Sequence, residues 1–263
     1  MKLDEMNRII DSFNSDLIDE ENLKMALSEN LVNYDEKKLR YYLFDLYRRN
    51  LLYKYNSRTY RKCRDKREFK FERKIALDVA DSIYKIRPQI TTSIWDLNEI
   101  TKFMSLQFFN NIHFVETYSY AKDVVLDCLL GFNYNVIFEK DYFSMSKYIK
   151  GKDVYIIRTI NEDSPIDKGR GNSYVWREAK ENSLITVPKI EKIIVDLIVD
   201  DFFNILIGSE IDFIIKELLG KYKINMSTCL RYVTKKHKLN VFHEYLNTIG
   251  FDIKRGEFHY SKI

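Results

Sequence analysis

The chain has 263 residues, enough for one large or two ordinary domains. Its 45% hydrophobic and 31% charged residues supply a core and exclude wholesale disorder. With 8 Gly and 3 Pro the collagen-like, Gly-rich and Pro-rich classes are excluded, and a net charge of +4 by itself points to no partner.

The distribution of that charge is less ordinary. Residues 1–34 carry a net −5, residues 35–74 a net +9, residues 75–220 a net −6 and residues 221–263 a net +6. Two basic blocks flank an acidic middle, and a polyanion is the natural partner of the first block.

From Met6 the apolar positions Ile9, Ile10 and Phe13 predict a first helix that ends near Asn14 and Ser15. A second helix is expected from Asp19 or Glu20 to Ser28, followed by a turn over residues 30–34. A third starts near Asp35, a good N-cap, and buries Leu39, Tyr42, Leu43 and Leu46. Its other face carries Lys37, Lys38, Arg40, Tyr41, Asp45, Arg48 and Arg49. After Asn50 the period changes, and residues 52–55 and 59–63 read as a hairpin around Asn56, Ser57 and Arg58. Three helices and a basic hairpin predict a winged helix-turn-helix over residues 1–70. In such a module Lys37, Lys38, Arg40 and Tyr41 meet base edges. Lys54, Arg58 and Arg61 on the wing lie along the phosphate backbone.

The charged residues 64–75 either link or continue the wing, and a mixed α/β domain is expected at 75–263. Residues 76–110 read as two helical pieces broken near Pro88, the second with Trp95, Leu97, Ile100, Phe103, Met104 and Leu106 on its apolar face. Strands follow at 112–116, 134–138 and 154–158, separated by a helix ending at Gly131, a natural C′ residue, and a short helix around 142–149. Residues 161–172 form a polar loop whose Gly169 and Gly171 lack a phosphate-cradle context. After a strand at 183–187, Pro188 is expected to open a helix with Ile190, Ile193, Ile194, Leu197 and Ile198 on one face. Segments 211–219, 225–238 and 241–249 complete a helical C-terminal bundle. The fold class expected is α+β: a winged helix-turn-helix, then a mixed α/β domain with a helical end.

No run approaches the roughly 18 apolar residues of a membrane span. The longest, at 193–207, is broken by Asp196, Asp200, Asp201 and Asn204. The largely acidic start lacks a signal-peptide core, so a soluble cytoplasmic chain with no membrane partner is expected. Cys63, Cys128 and Cys229 lie far apart, and His113, His237, His243 and His259 have no metal-ligand spacing. No metal and no cofactor are expected.

The segment Pro188-Lys189-Ile190-Glu191-Lys192-Ile193-Ile194-Val195-Asp196-Leu197 resembles the "P-x-[LI]-E-K-[IL]-[LI]-V-D-[LI]" stretch of AbiEi-like antitoxins and their predicted transcriptional-regulator relatives. Residues Ile224 to Lys236 look like that family's C-terminal "[IV]-N-x-x-x-L-L-R-Y-A-x-[KR]-R", departing from it at Cys229, Val233 and Lys236. The resemblance implies an antitoxin of a toxin–antitoxin or abortive-infection phage-defence pair, which also represses its own operon. Its partners would be duplex operator DNA and a nucleotidyltransferase-like toxin, with neutralisation in the 75–263 domain.

Arg231 and Lys235, at i and i+4 with Lys236 beside them, are candidates for DNA or partner contact, or form a solvated helix end. The competing readings are a stand-alone regulator with a sensing domain and a restriction-endonuclease-like nuclease. For the nuclease, Glu116, Asp153 and Glu139-Lys140 lie near strands, yet no Asp/Glu-x-Lys spacing occurs. No catalytic residue is expected.

Overall fold

The computed structural model describes residues 3–31, 34–63, 66–71, 74–105, 111–148, 153–167 and 185–259. Helix α1 (Leu3–Asp11) buries Met6, Ile9 and Ile10 at helical spacing. Strand β1 (Leu17–Asp19) leads into α2 (Glu20–Asn30), which buries Leu23 and Leu27. Glu20 and Glu21 in its first turn complement the positive end of the helix. The Asp35 carboxylate accepts the Lys37 backbone N–H at 3.0 Å and opens a 3₁₀ turn over Glu36–Lys38. Helix α3 (Leu39–Arg48) continues from it and buries Tyr42, Leu43 and Leu46. Strands β2 (Leu52–Lys54) and β3 (Thr59–Lys62) form a hairpin, and β1 pairs antiparallel with β3 in a sheet ordered β1-β3-β2. Ile18, Leu52 and Tyr60 close this sheet over the helical core.

The middle of the chain opens with α4 (Lys74–Ile86), then β4 (Thr92–Asp96) and the single turn α5 (Asn98–Thr101). Residues 92–96 are thus strand where a second helical piece is expected. Both faces of β4 are covered, and a continuous apolar run carries no period to separate strand from helix. Next come β5 (Ile112–Tyr118), α6 (Lys122–Gly131), β6 (Val136–Phe138), α7 (Tyr142–Met145) and β7 (Val154–Ile160). Gly131 stays helical. The left-handed residue is Asn133 at φ 61°, and Tyr134 N–H returns to Leu129 C=O to close the helix end.

The short β8 (Ile166–Asp167) and β9 (Ile185–Pro188) precede α8 (Ile190–Val199) and α9 (Asp201–Ile207). Pro188 ends a strand rather than opening the helix, whose N-cap is Lys189. The six strands run in the order β6-β7-β5-β4-β9-β8, with β6, β7 and β5 parallel and β4 antiparallel to β5. Val115, Tyr155 and Ile157 on one face meet Val79, Ile83, Val125 and Leu129 of α4 and α6. Phe114, on the opposite face of β5, stacks at 4.4 Å on Trp95 and meets Phe203 of α9 edge-on. All ten residues of α8 are buried, so it is wrapped on every side rather than amphipathic at a surface. Leu106, Gly169, Gly171 and Ser183 lie outside the described residues.

Helix α10 (Glu210–Lys221) is followed by α11 (Met226–Lys235), capped by the Asn225 side chain accepting the Thr228 N–H at 3.2 Å. Helix α12 (Leu239–Thr248) and a hairpin of β10 (Phe251–Asp252) with β11 (Glu257–Phe258) end the described chain.

Contacts divide the molecule into two compact units, Met1–Phe69 with Lys216–Ile263, and Lys70–Ile215. The C-terminal segment, expected to belong with the mixed domain, belongs with the N-terminal one. Side chains bind it there. Tyr55 Oη donates to Ile253 C=O at 2.7 Å, Lys66 Nζ to Leu219 C=O at 2.5 Å, and Arg61 to Gly256 C=O. Arg67 forms a parallel bridge with Tyr222, whose ring lies 5.1 Å from Phe69. Among the described residues no helix is long and apolar enough to cross a membrane.

Candidate nucleic-acid interface

The 3₁₀ turn and the first turns of α3 present Lys37, Lys38, Arg40 and Tyr41 to solvent, and Tyr41 is 63% exposed. Lys38 leans towards Asp35 at 3.7 Å, an exposed pair too weak to immobilise it. Arg40, Phe44 and Arg48 follow at i, i+4 and i+8 on the same line of the helix. Phe44, 61% exposed, is the member that sequence reasoning missed. Its spacing from Arg40 was the available signal, because burial of Leu43 and Leu46 turns position 44 outward. A basic stripe interrupted by two aromatic rings therefore lines one side of the helix.

On the hairpin, Lys54 and Arg58 are exposed. Arg58 sits in a turn held by its own N–H on Asn56 Oδ1 at 3.0 Å and by Tyr55 N–H on Thr59 C=O at 3.0 Å. Arg61 does not join them. It is buried, and its guanidinium donates to the Gly256 carbonyl, so the phosphate contact expected of it gives way to an internal one. Alternation explains the difference, since Arg61 pairs with Tyr53 on the sheet face opposite Tyr60, and that face is the one the C-terminal segment covers.

Of the C-terminal candidates, Arg231 and Lys235 are exposed on α11, while Lys236 is partly buried with its ammonium 5.3 Å from the Tyr232 ring centroid. All three belong to the same unit as α3 and the β2–β3 hairpin. That unit carries a net charge of +8 and the middle unit −4. Chain order separates the two basic blocks, and the fold collects them in one body.

The acids of the nuclease reading are dispersed. Asp153 is exposed and accepts from Asn111 Nδ2 at 2.7 Å. Glu116 lies at the other end of β5, beside Arg158 in the strand register. There Lys192 Nζ contacts Glu116 Oε1 at 2.5 Å and Asp196 Oδ2 at 2.7 Å. Arg158 reaches Glu139 at 2.9 Å and Asp200 at 2.8 Å, with its guanidinium carbon 4.6 Å from the centre of the Phe203 ring. Burial works to lower the Lys192 ammonium pKa, but Asp196 and Glu116 more than offset it and hold it above its ordinary value. Burial pushes the Glu139 carboxyl up, against the pull of Arg158. Glu116 Oε2 and Ser93 Oγ, on paired strands, have no hydrogen-bond partner among the described residues. Among those residues no three His, Cys, Asp or Glu side chains form a set that would hold a metal ion. Of the charged residues between Pro188 and Leu197, Glu191, Lys192 and Asp196 are buried and Lys189 is exposed.

The chain belongs to a family of unknown function, DUF6577, whose model matches residues 38–251. No curated protein and no solved structure matches it.

Proposed function

We propose that this protein is a DNA-binding regulator of the antitoxin type, with residues 1–70 forming a winged helix-turn-helix. The observation that carries the reading is the exposed stripe of Lys37, Lys38, Arg40 and Tyr41 at the start of α3, within a unit of net charge +8. Three helices with a three-stranded antiparallel sheet, ordered β1-β3-β2, support the winged-helix assignment. The start of the third helix enters the major groove and the β2–β3 hairpin follows the backbone. The resemblance to AbiEi-like antitoxins supports autoregulation and a nucleotidyltransferase-like toxin as partner. The middle unit, at −4, suits a basic partner surface better than a polyanion.

A salt series tests the DNA reading. Wild-type protein and the Lys37→Ala/Lys38→Ala/Arg40→Ala variant are titrated against the duplex upstream of the protein's own gene. The variant should bind more weakly, with a log–log salt slope smaller by roughly one unit per lost phosphate contact. Equal affinity and equal slope would remove this reading. Co-expression with the neighbouring gene tests the antitoxin half, with growth rescue expected.

A further inference from the structure

The outer face of the β2–β3 hairpin is not left to solvent. Gly256, at φ 66°, lies so close to it that an added Cβ would stand 2.9 Å from an Arg61 guanidinium nitrogen and 3.0 Å from the Tyr55 ring. The Arg61 guanidinium holds the Gly256 carbonyl, and Tyr55 Oη holds that of Ile253 at 2.7 Å. Residues 253 and 256 are therefore both fixed to the hairpin, and the two residues between them are Lys254 and Arg255.

Both are exposed. Their backbone N–H groups donate to Asp252 Oδ1 at 2.7 and 3.0 Å, which sets the turn without using either cationic head. Asp252 also lies 3.6 Å from the Arg255 guanidinium, an exposed contact that a phosphate can outcompete. Lys54 precedes Tyr55 directly, and Arg58 forms the tip of the same hairpin. The anchored turn thus holds two exposed cationic side chains on a hairpin whose own tip carries a third, Arg58.

We infer that the β10–β11 turn is a second phosphate-binding wing, which carries Lys254 and Arg255 onto the DNA backbone alongside Lys54 and Arg58. The inference rests on the DNA-binding reading and extends it to a part of the chain that no helix-turn-helix includes. Such contacts position the duplex and add affinity, but they read no bases. The buried arginine explains its own loss from the interface: Arg61 exchanges one phosphate contact for an anchor that supplies two.

The test uses the full chain in fluorescence anisotropy with a labelled duplex of about 30 base pairs, over a salt series. The Lys254→Ala/Arg255→Ala variant should reduce the log–log salt slope by about 1.8, two phosphates at roughly 0.9 each. Its ratio of upstream-DNA to scrambled-DNA affinity should be unchanged. Lys254→Glu/Arg255→Glu should weaken binding further. A control, Lys85→Ala/Lys140→Ala, removes the same charge from the middle unit and should leave the slope within about 0.3 of wild type. An unchanged slope in the turn variants, with binding still lost on changing Lys37, Lys38 and Arg40, would overturn the second wing and leave the DNA reading standing. A control that lowers the slope equally would reduce the effect to net charge and overturn the inference as well. No binding by the wild-type chain to either duplex would remove both.

Discussion

Lys192 and Glu116 are bound to each other inside the middle unit, Nζ to Oε1 at 2.5 Å, with side chains 2% and 1% exposed. Neither charge is stable there alone, because removing one partner leaves the other buried in a poorly solvating interior. Lys192→Met should therefore destabilise the protein by roughly 3–5 kcal/mol. Glu116→Gln should cost less, since Asp196 still faces the ammonium at 2.7 Å. Urea unfolding of both singles and of the double variant checks this. The double should be clearly less damaging than the sum of the singles, and strict additivity would mean the contact carries no energy.

Arg58 and Arg61, three residues apart on one hairpin, should behave oppositely. Arg58→Ala lowers the DNA salt slope by roughly 0.9 and leaves thermal stability within about 0.5 kcal/mol of wild type. Arg61→Met lowers stability by about 1–3 kcal/mol, because it leaves the buried Gly256 carbonyl unpaired. Thermal melts run beside the anisotropy titrations separate the two effects.

Strongly alkaline pH should destabilise the N- and C-terminal unit through the buried tyrosines of its sheet. Burial pushes the Tyr53 phenol up to about 12, and raises Tyr55 and Tyr60 as well, from an ordinary value of 10.0. A group raised on folding stabilises fully below its unfolded value, and that stability is lost as pH climbs towards the folded one. The loss therefore begins near 10. Lys66 acts in the opposite direction, since burial lowers it from 10.5 to about 8 and stability gains between those limits. Unfolding free energy measured between pH 7 and 11 should fall only above about 10, and Lys66→Met should remove the gain below that point.

With Mg²⁺ or Mn²⁺ the purified chain should not cleave DNA. Asp153 lies beside Asn111, while Glu116 is five residues further on in β5, roughly 16 Å away at strand rise. Glu116 is moreover occupied by Lys192. Divalent-dependent cleavage that vanishes on Asp153→Ala would reverse this expectation.

Strong helical periods were readable. Met6, Ile9 and Ile10 marked α1, and Tyr42, Leu43 and Leu46 marked α3. What escaped was whatever depends on distant partners. The three residues of β1 acquire strand geometry only by pairing Leu17 with Arg61. Trp95 sits in an apolar run that reads equally as helix or strand until Phe114 lies against it. The periodicity of α8 marks one apolar face and assigns no place to Lys192 and Asp196. Their burial is intelligible only once Glu116 and Arg158 arrive from β5 and β7. Of the proposed interface, Lys37, Lys38, Arg40 and Tyr41 are legible as a solvent face and Phe44 by its spacing from Arg40, whereas Lys254 and Arg255 are not. Those two gain their meaning from Gly256 pressing on Tyr55.

One consequence of building a unit from Met1–Phe69 and Lys216–Ile263 concerns the order of synthesis. The middle unit is a single uninterrupted stretch and is complete while the ribosome is still translating. The first unit has to wait for its other half. At ~5–20 residues per second, Arg61 leaves the ribosome roughly 10–40 s before Gly256 follows. During that interval the outer face of its sheet is uncovered, and a chain released early never closes it. A chain cut short before the 216–263 segment yields the acidic unit without the segment that completes the basic one.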